Sequence, residues 1–127
     1  MQAFGYLTSL EPATALWYTK VMPSFHRVAA ATDFQDGLVR VFPVDGVEIA
    51  VVRHEGVWHA FSGRCPHANY LLNFTRVKPE DRILCSSHMA LFDLHTGCVL
   101  SGPTDESLKR YPVQVEGDDV MVANEPQ

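Results

Sequence analysis

Residues 38–61, LVRVFPVDGVEIAVVRHEGVWHAF, decide the fold class. Asp45-Gly46 lies between two apolar runs rich in β-branched residues, the strongest short-range signal for a two-residue hairpin turn. The reading predicts strands over 38–44 and 47–54. Glu55-Gly56 then turns the chain into a third strand over 57–61. Working outward, short strands are expected at 82–85 and 91–94, with a turn at His95-Thr96-Gly97. A last pair, 112–116 and 120–123, flanks Gly117-Asp118-Asp119. Many short strands at close spacing predict a mainly β domain, a small antiparallel barrel or sandwich.

The chain has 127 residues, 46% hydrophobic and 20% charged, which suits one domain with a sizeable core better than two marginal ones. A formal charge of -5 argues against nucleic acid, whose phosphates would repel it. Residues 1–24 read as an N-terminal extension with helical character. Ser9 is placed to cap a helix there, and Leu10, Ala13, Leu16, Trp17 and Val21 form one apolar stripe. The extension has no basic leader, no twin arginine, and no apolar run long enough to span a membrane. The expectation is a cytoplasmic protein without a membrane partner. Three cysteines fit poorly with a disulfide framework and better with metal ligation.

Two short segments carry the chemistry: Cys65-Pro66-His67 and Cys85-Ser86-Ser87-His88, with seventeen residues between them. Thiolate and imidazole are soft and borderline metal ligands. A zinc finger keeps its two cysteines together and its two histidines together. Here each arm supplies one of each, an arrangement that suits two different irons reached by both arms at once.

With FDLHTG at 92–97 and SGP at 101–103, these arms resemble the Rieske ferredoxins, the soluble electron carriers of aromatic-ring oxygenase systems, over residues 25–123. The resemblance implies a Rieske domain with one [2Fe–2S] cluster per chain. Cys65 and Cys85 would hold the inner iron, and His67 and His88 the outer one. It implies an electron-transfer protein rather than an enzyme, with no catalytic residue. Single electrons would pass from a flavin-dependent NAD(P)H reductase to a terminal oxygenase, each docking transiently at the His67/His88 tip. Two alternatives stand beside it: the small Rieske-like subunit of a nitrite reductase or another multisubunit oxidoreductase, and a structural or sensing module in which Zn²⁺ or the cluster merely stabilises the fold.

The family also sets an expectation for the potential. Two ferric ions, two sulfides and two thiolates sum to zero charge, so replacing two thiolates with imidazoles makes reduction easier. High-potential members raise it further with a loop disulfide and with hydroxyl donors to the cluster. The disulfide positions here are Tyr70 and Ser87, and the donor positions are Ala90 and Phe92. None supplies the required group, so a low potential is expected. Two family glycines are replaced, by Asn69 and by Met89, and the second leaves the loop geometry in question. Cys98 reads as a small buried hydrophobe. His26, His54, His59 and His95 read as surface or turn histidines, Pro103 as part of a covering loop, and Trp17 and Trp58 as packing residues.

Overall fold

A computed structural model describes residues 24–66, 69–86, 89–102 and 105–126. Nine strands run through these residues: β1 (Phe25–Ala30), β2 (Arg40–Val44), β3 (Val47–His54), β4 (Val57–Ser62), β5 (Arg82–Cys85), β6 (Ala90–Asp93), β7 (Val99–Ser101), β8 (Val113–Glu116) and β9 (Asp119–Ala123). They form three antiparallel sheets of three strands, ordered β1-β9-β8, β2-β3-β4 and β5-β6-β7. The expected antiparallel β domain is present, but the described strands make three sheets and no closed barrel. The expected N-terminal helix and Trp17 lie outside the described residues.

The hairpins follow from turn chemistry. Asp45 and Gly46 have φ of 53° and 81°, and Glu55 and Gly56 have 52° and 79°. Positive φ at both central positions gives the turn whose twist matches the flanking strands. Val44 therefore pairs with Val47, and His54 with Val57. At the last hairpin Asp119 joins the ladder opposite Glu116, so the turn is Gly117-Asp118 alone.

The middle sheet is buried on both faces. Ile49, Ala50, Val51 and Val52 of β3 are all fully buried. Ile49 and Val51, with Ala60 of β4, pack against Val120 and Val122 of β9 and Tyr111. Ala50 and Val52, with Phe61, face the other way onto Ile83 and Phe92 of the β5-β6-β7 sheet and onto Leu94 just after β6. A strand covered on both sides reads as a continuous apolar run, and IAVV is that run. Trp58 packs edge-on against Phe34 with ring centroids 5.0 Å apart, as a packing residue should.

Two expectations for single residues fail. Cys98 is exposed, because the turn after β6 directs it outward. His59 is 3% exposed, since its place on β4 points its ring into the protein beside Arg110. The Arg110 guanidinium nitrogens lie 3.4 and 3.5 Å from His59 Nδ1. Burial first, and then the Arg110 charge, push His59 down from 6.5 to about 4. An unfolded chain thus takes up this proton before the folded one does. Stability should fall as pH drops from about 6.5 to about 4, by at most about 3 kcal/mol from this group. Denaturant unfolding of wild type and His59→Leu across that window checks it: the difference between their slopes should vanish above pH 7.

Candidate metal centre

Each cysteine of the two arms stands at the mouth of a tight loop. In the first arm, Arg64 bridges to Leu71, and the Cys65 N–H donates to the Tyr70 carbonyl at 2.9 Å. The Asn69 N–H returns to the Cys65 carbonyl at 2.8 Å, closing the loop on itself. Arg64 clamps its base, bonding the Glu48 carboxylate through Nε and the Asn69 carbonyl through Nη1 at 2.8 Å. Gly63 just before it is obligatory, as a Cβ there would lie 2.8 Å from the Glu48 carbonyl oxygen.

The second arm is the β5–β6 hairpin. Cys85 pairs with Ala90 at the end of its ladder. A third loop comes down on the same place: a Cβ on Gly102 (φ 118°) would fall 2.6 Å from the Ala90 Cα. Only glycine permits so close a backbone approach. The neighbouring Pro103 lies outside the described residues, as do His67 and His88.

Cys65 and Cys85 are both fully buried, in one apolar cluster with Leu72, Ala90 and Phe92. An uncompensated thiolate is costly in such surroundings. A cationic metal removes that cost, because it deprotonates a coordinating thiol and neutralises the sulfur. The donor chemistry therefore fits an iron held between the two loops. Ala90 and Phe92, the positions expected to lack hydroxyl donors, are themselves fully buried beside the thiols. Tyr70 and Met89 stand on the opposite, outward side, 45% and 62% exposed.

The replaced glycines keep the backbone geometry that glycine would favour. Asn69 has φ 54° and Met89 φ 60°. Asn tolerates the left-handed region, whereas Met pays for it with Cβ crowding. Met89 thus holds a left-handed turn conformation at a local cost. A second polar cluster, around His54, Asp81 and His95, has no signature in the sequence. Its members come from three separate turns and share no spacing.

A nine-stranded antiparallel domain with two buried thiols at adjoining loop mouths defines a class: a small β protein built to hold a metal cluster at one tip. The model of the Rieske [2Fe–2S] domain matches residues 24–112, and the chain belongs to that family. It is accordingly an electron-transfer protein with one [2Fe–2S] cluster per chain. The chain is similar to the ferredoxin component of the alkene monooxygenase system of Xanthobacter autotrophicus, with 33% identity over 78% of this chain and 80% of the relative. Its structure resembles the ferredoxin of carbazole 1,9a-dioxygenase from Nocardioides aromaticivorans IC177, at a TM-score of 0.74 and 32% identity, covering 80% of this chain and 99% of the other. A ferredoxin solved in complex with the reduced oxygenase of carbazole 1,9a-dioxygenase gives a TM-score of 0.74 at 30% identity, covering 81% and 95%.

The Met89 strain can be measured. Met89→Gly removes a left-handed penalty of roughly 1–2 kcal/mol and adds roughly 0.5–1 kcal/mol of unfolded-chain entropy. The variant should be more stable than wild type by about 0.5–1 kcal/mol in denaturant unfolding, the difference of those two effects. Met89→Ala, which keeps a Cβ, should show no such gain.

Proposed function

We propose that this chain is a soluble, cytoplasmic, low-potential Rieske ferredoxin of an oxygenase system. Residues 25–123 form its cluster domain and residues 1–24 an extension. Cys65 and Cys85 hold the inner iron, and His67 and His88 the outer one. The cluster supplies reversible one-electron exchange at the tip of the domain. The chain accepts an electron from a flavin-dependent NAD(P)H reductase and delivers it to a terminal oxygenase. It carries no catalytic residue of its own.

The observation that carries the reading is the pair of buried thiols at two loop mouths within one apolar cluster. Thiols placed there put the sulfur ligands inside the protein, with His67 and His88 following two and three residues later in sequence. Tyr70 and Met89, one in each arm, add exposed apolar surface. Small contacts of this kind suit the weak, short-lived encounters of electron transfer. The relatives named as ferredoxin components of oxygenase systems support the same assignment. Among the described residues, no helix is long and apolar enough to cross a membrane.

The potential follows from what surrounds the thiols. Position 70 holds a tyrosine and position 87 a serine, so the loop disulfide of high-potential members has no counterpart here. Ala90 and Phe92 offer no hydroxyl to sulfur. More negative charge therefore stays on the cluster, which disfavours adding an electron and holds protons on the outer imidazoles. Protein-film voltammetry should give a midpoint on the order of -150 mV, flat in pH around neutrality. The double variant Ala90→Ser, Phe92→Tyr should shift it upward. A wild-type midpoint above about +100 mV would place the chain with the respiratory type instead.

A further inference from the structure

The end of the domain away from the ligand arms holds a second group of metal-binding side chains. His54 closes β3, Glu55 begins the β3–β4 turn, Asp81 precedes β5, and His95 follows β6. The Asp81 carboxylate lies between two imidazoles, with Oδ1 2.9 Å from His54 Nε2 and Oδ2 2.7 Å from His95 Nε2. Glu55 Oε2 is 3.9 Å from the same His54 nitrogen. Ligand atoms of His54, Glu55 and Asp81 all fall within 4.8 Å of one another. Cys85 lies four positions after Asp81, at the far end of β5 and about 13 Å away at strand rise, so this group is distinct from the cluster site.

The geometry points to a site for one divalent transition cation of the Zn²⁺ type, held by His54 Nε2 and the carboxylates of Asp81 and Glu55, with water completing the shell. Tetrahedral ligands about 2.1 Å from zinc lie about 3.4 Å from one another. The His54–Asp81 and His54–Glu55 separations, 2.9 and 3.9 Å, bracket that spacing. A borderline imidazole beside carboxylate oxygens favours zinc over calcium or magnesium, which take oxygen shells.

The surroundings prepare the ligands. His95, followed by His54, holds the Asp81 carboxyl below the usual carboxylate range, against the opposing effect of its partial burial. Asp81 is therefore an anion at neutral pH. Its second oxygen is taken by His95, which makes His95 a positioning residue for that carboxylate. His95 is in turn braced by the buried His59 ring, edge-on at 5.1 Å. The Asp81 backbone is fixed too, because its carbonyl accepts the Leu94 N–H at 2.9 Å. His54 Nδ1 is buried with no hydrogen-bond partner, while Nε2 faces the carboxylates. Glu55 next to Asp81 places two negative charges side by side, and a shared cation turns that repulsion into attraction. A bound ion would clip the β3–β4 turn to the turn before β5.

Equilibrium dialysis of the cluster-loaded protein against Zn²⁺ alone, with metal counted per chain, tests the site. One zinc per chain should bind without loss of the cluster's visible absorption, and the melting temperature should rise with zinc. Glu55→Gln, at an exposed position that leaves the core untouched, and His54→Gln should each abolish saturable binding. His95→Ala should weaken it by about 10- to 100-fold. Cys98→Ser should bind as wild type does. No saturable uptake, uptake unchanged in Glu55→Gln, uptake lost in Cys98→Ser, or zinc bound only as the cluster bleaches would each overturn the proposal.

Discussion

The burial of β3 on both faces is the constraint from which the rest of this domain follows. Ile49 and Val51 need one apolar cover and Ala50 and Val52 another, so a single sheet cannot satisfy the strand. The β1-β9-β8 sheet supplies the first cover and the β5-β6-β7 sheet the second. A side chain buried in this way contributes about 1.5–3 kcal/mol, and a polar substitution at any of the four would have to desolvate an unpaired group instead. The two outer sheets need not contact one another, because the middle sheet ties each to the whole.

That arrangement also fixes the metal centre. The first ligand arm leaves from the end of β4, in the middle sheet, and the second is the hairpin between β5 and β6 in the covering sheet. Stacking the two sheets brings both loop mouths to one cluster of buried side chains, with Cys65 and Cys85 inside it. The loops themselves are held by backbone closure in the first arm and by the Gly102 backbone lying on Ala90 in the second. Rigid sheets thus place the sulfur donors, while the exposed Tyr70 and Met89 lie outside that buried cluster. This division suits a carrier that must hold its cluster tightly and its partners briefly.

Much of this was readable from the chain. The Asp45-Gly46 and Glu55-Gly56 turns located the middle sheet, and β3 was predicted with the limits it has. The spacing of the two arms singled out Cys65 and Cys85, which the fold brings into one buried cluster. What escaped was non-local. β1 pairs with β9, about ninety residues away, so neither a turn nor a neighbouring strand announced it. His59 looked like any surface histidine because alternation along β4 alone does not say that Arg110 will cover it. Met89 was the reverse case: an unfavourable residue whose positive φ shows the loop shape prevailing over residue preference.

The central claim is that two thiolates and two imidazoles, one of each from either arm, share one cluster. Nitrogen-resolved pulsed EPR of the dithionite-reduced protein reads this directly, since the unpaired spin couples to nitrogens bonded to iron. Two strongly coupled nitrogens are expected in wild type, one in either His67→Cys or His88→Cys, and none in the double variant. Absence of strong nitrogen coupling in the wild-type protein, with two irons and two sulfides present per chain, would contradict the ligand assignment.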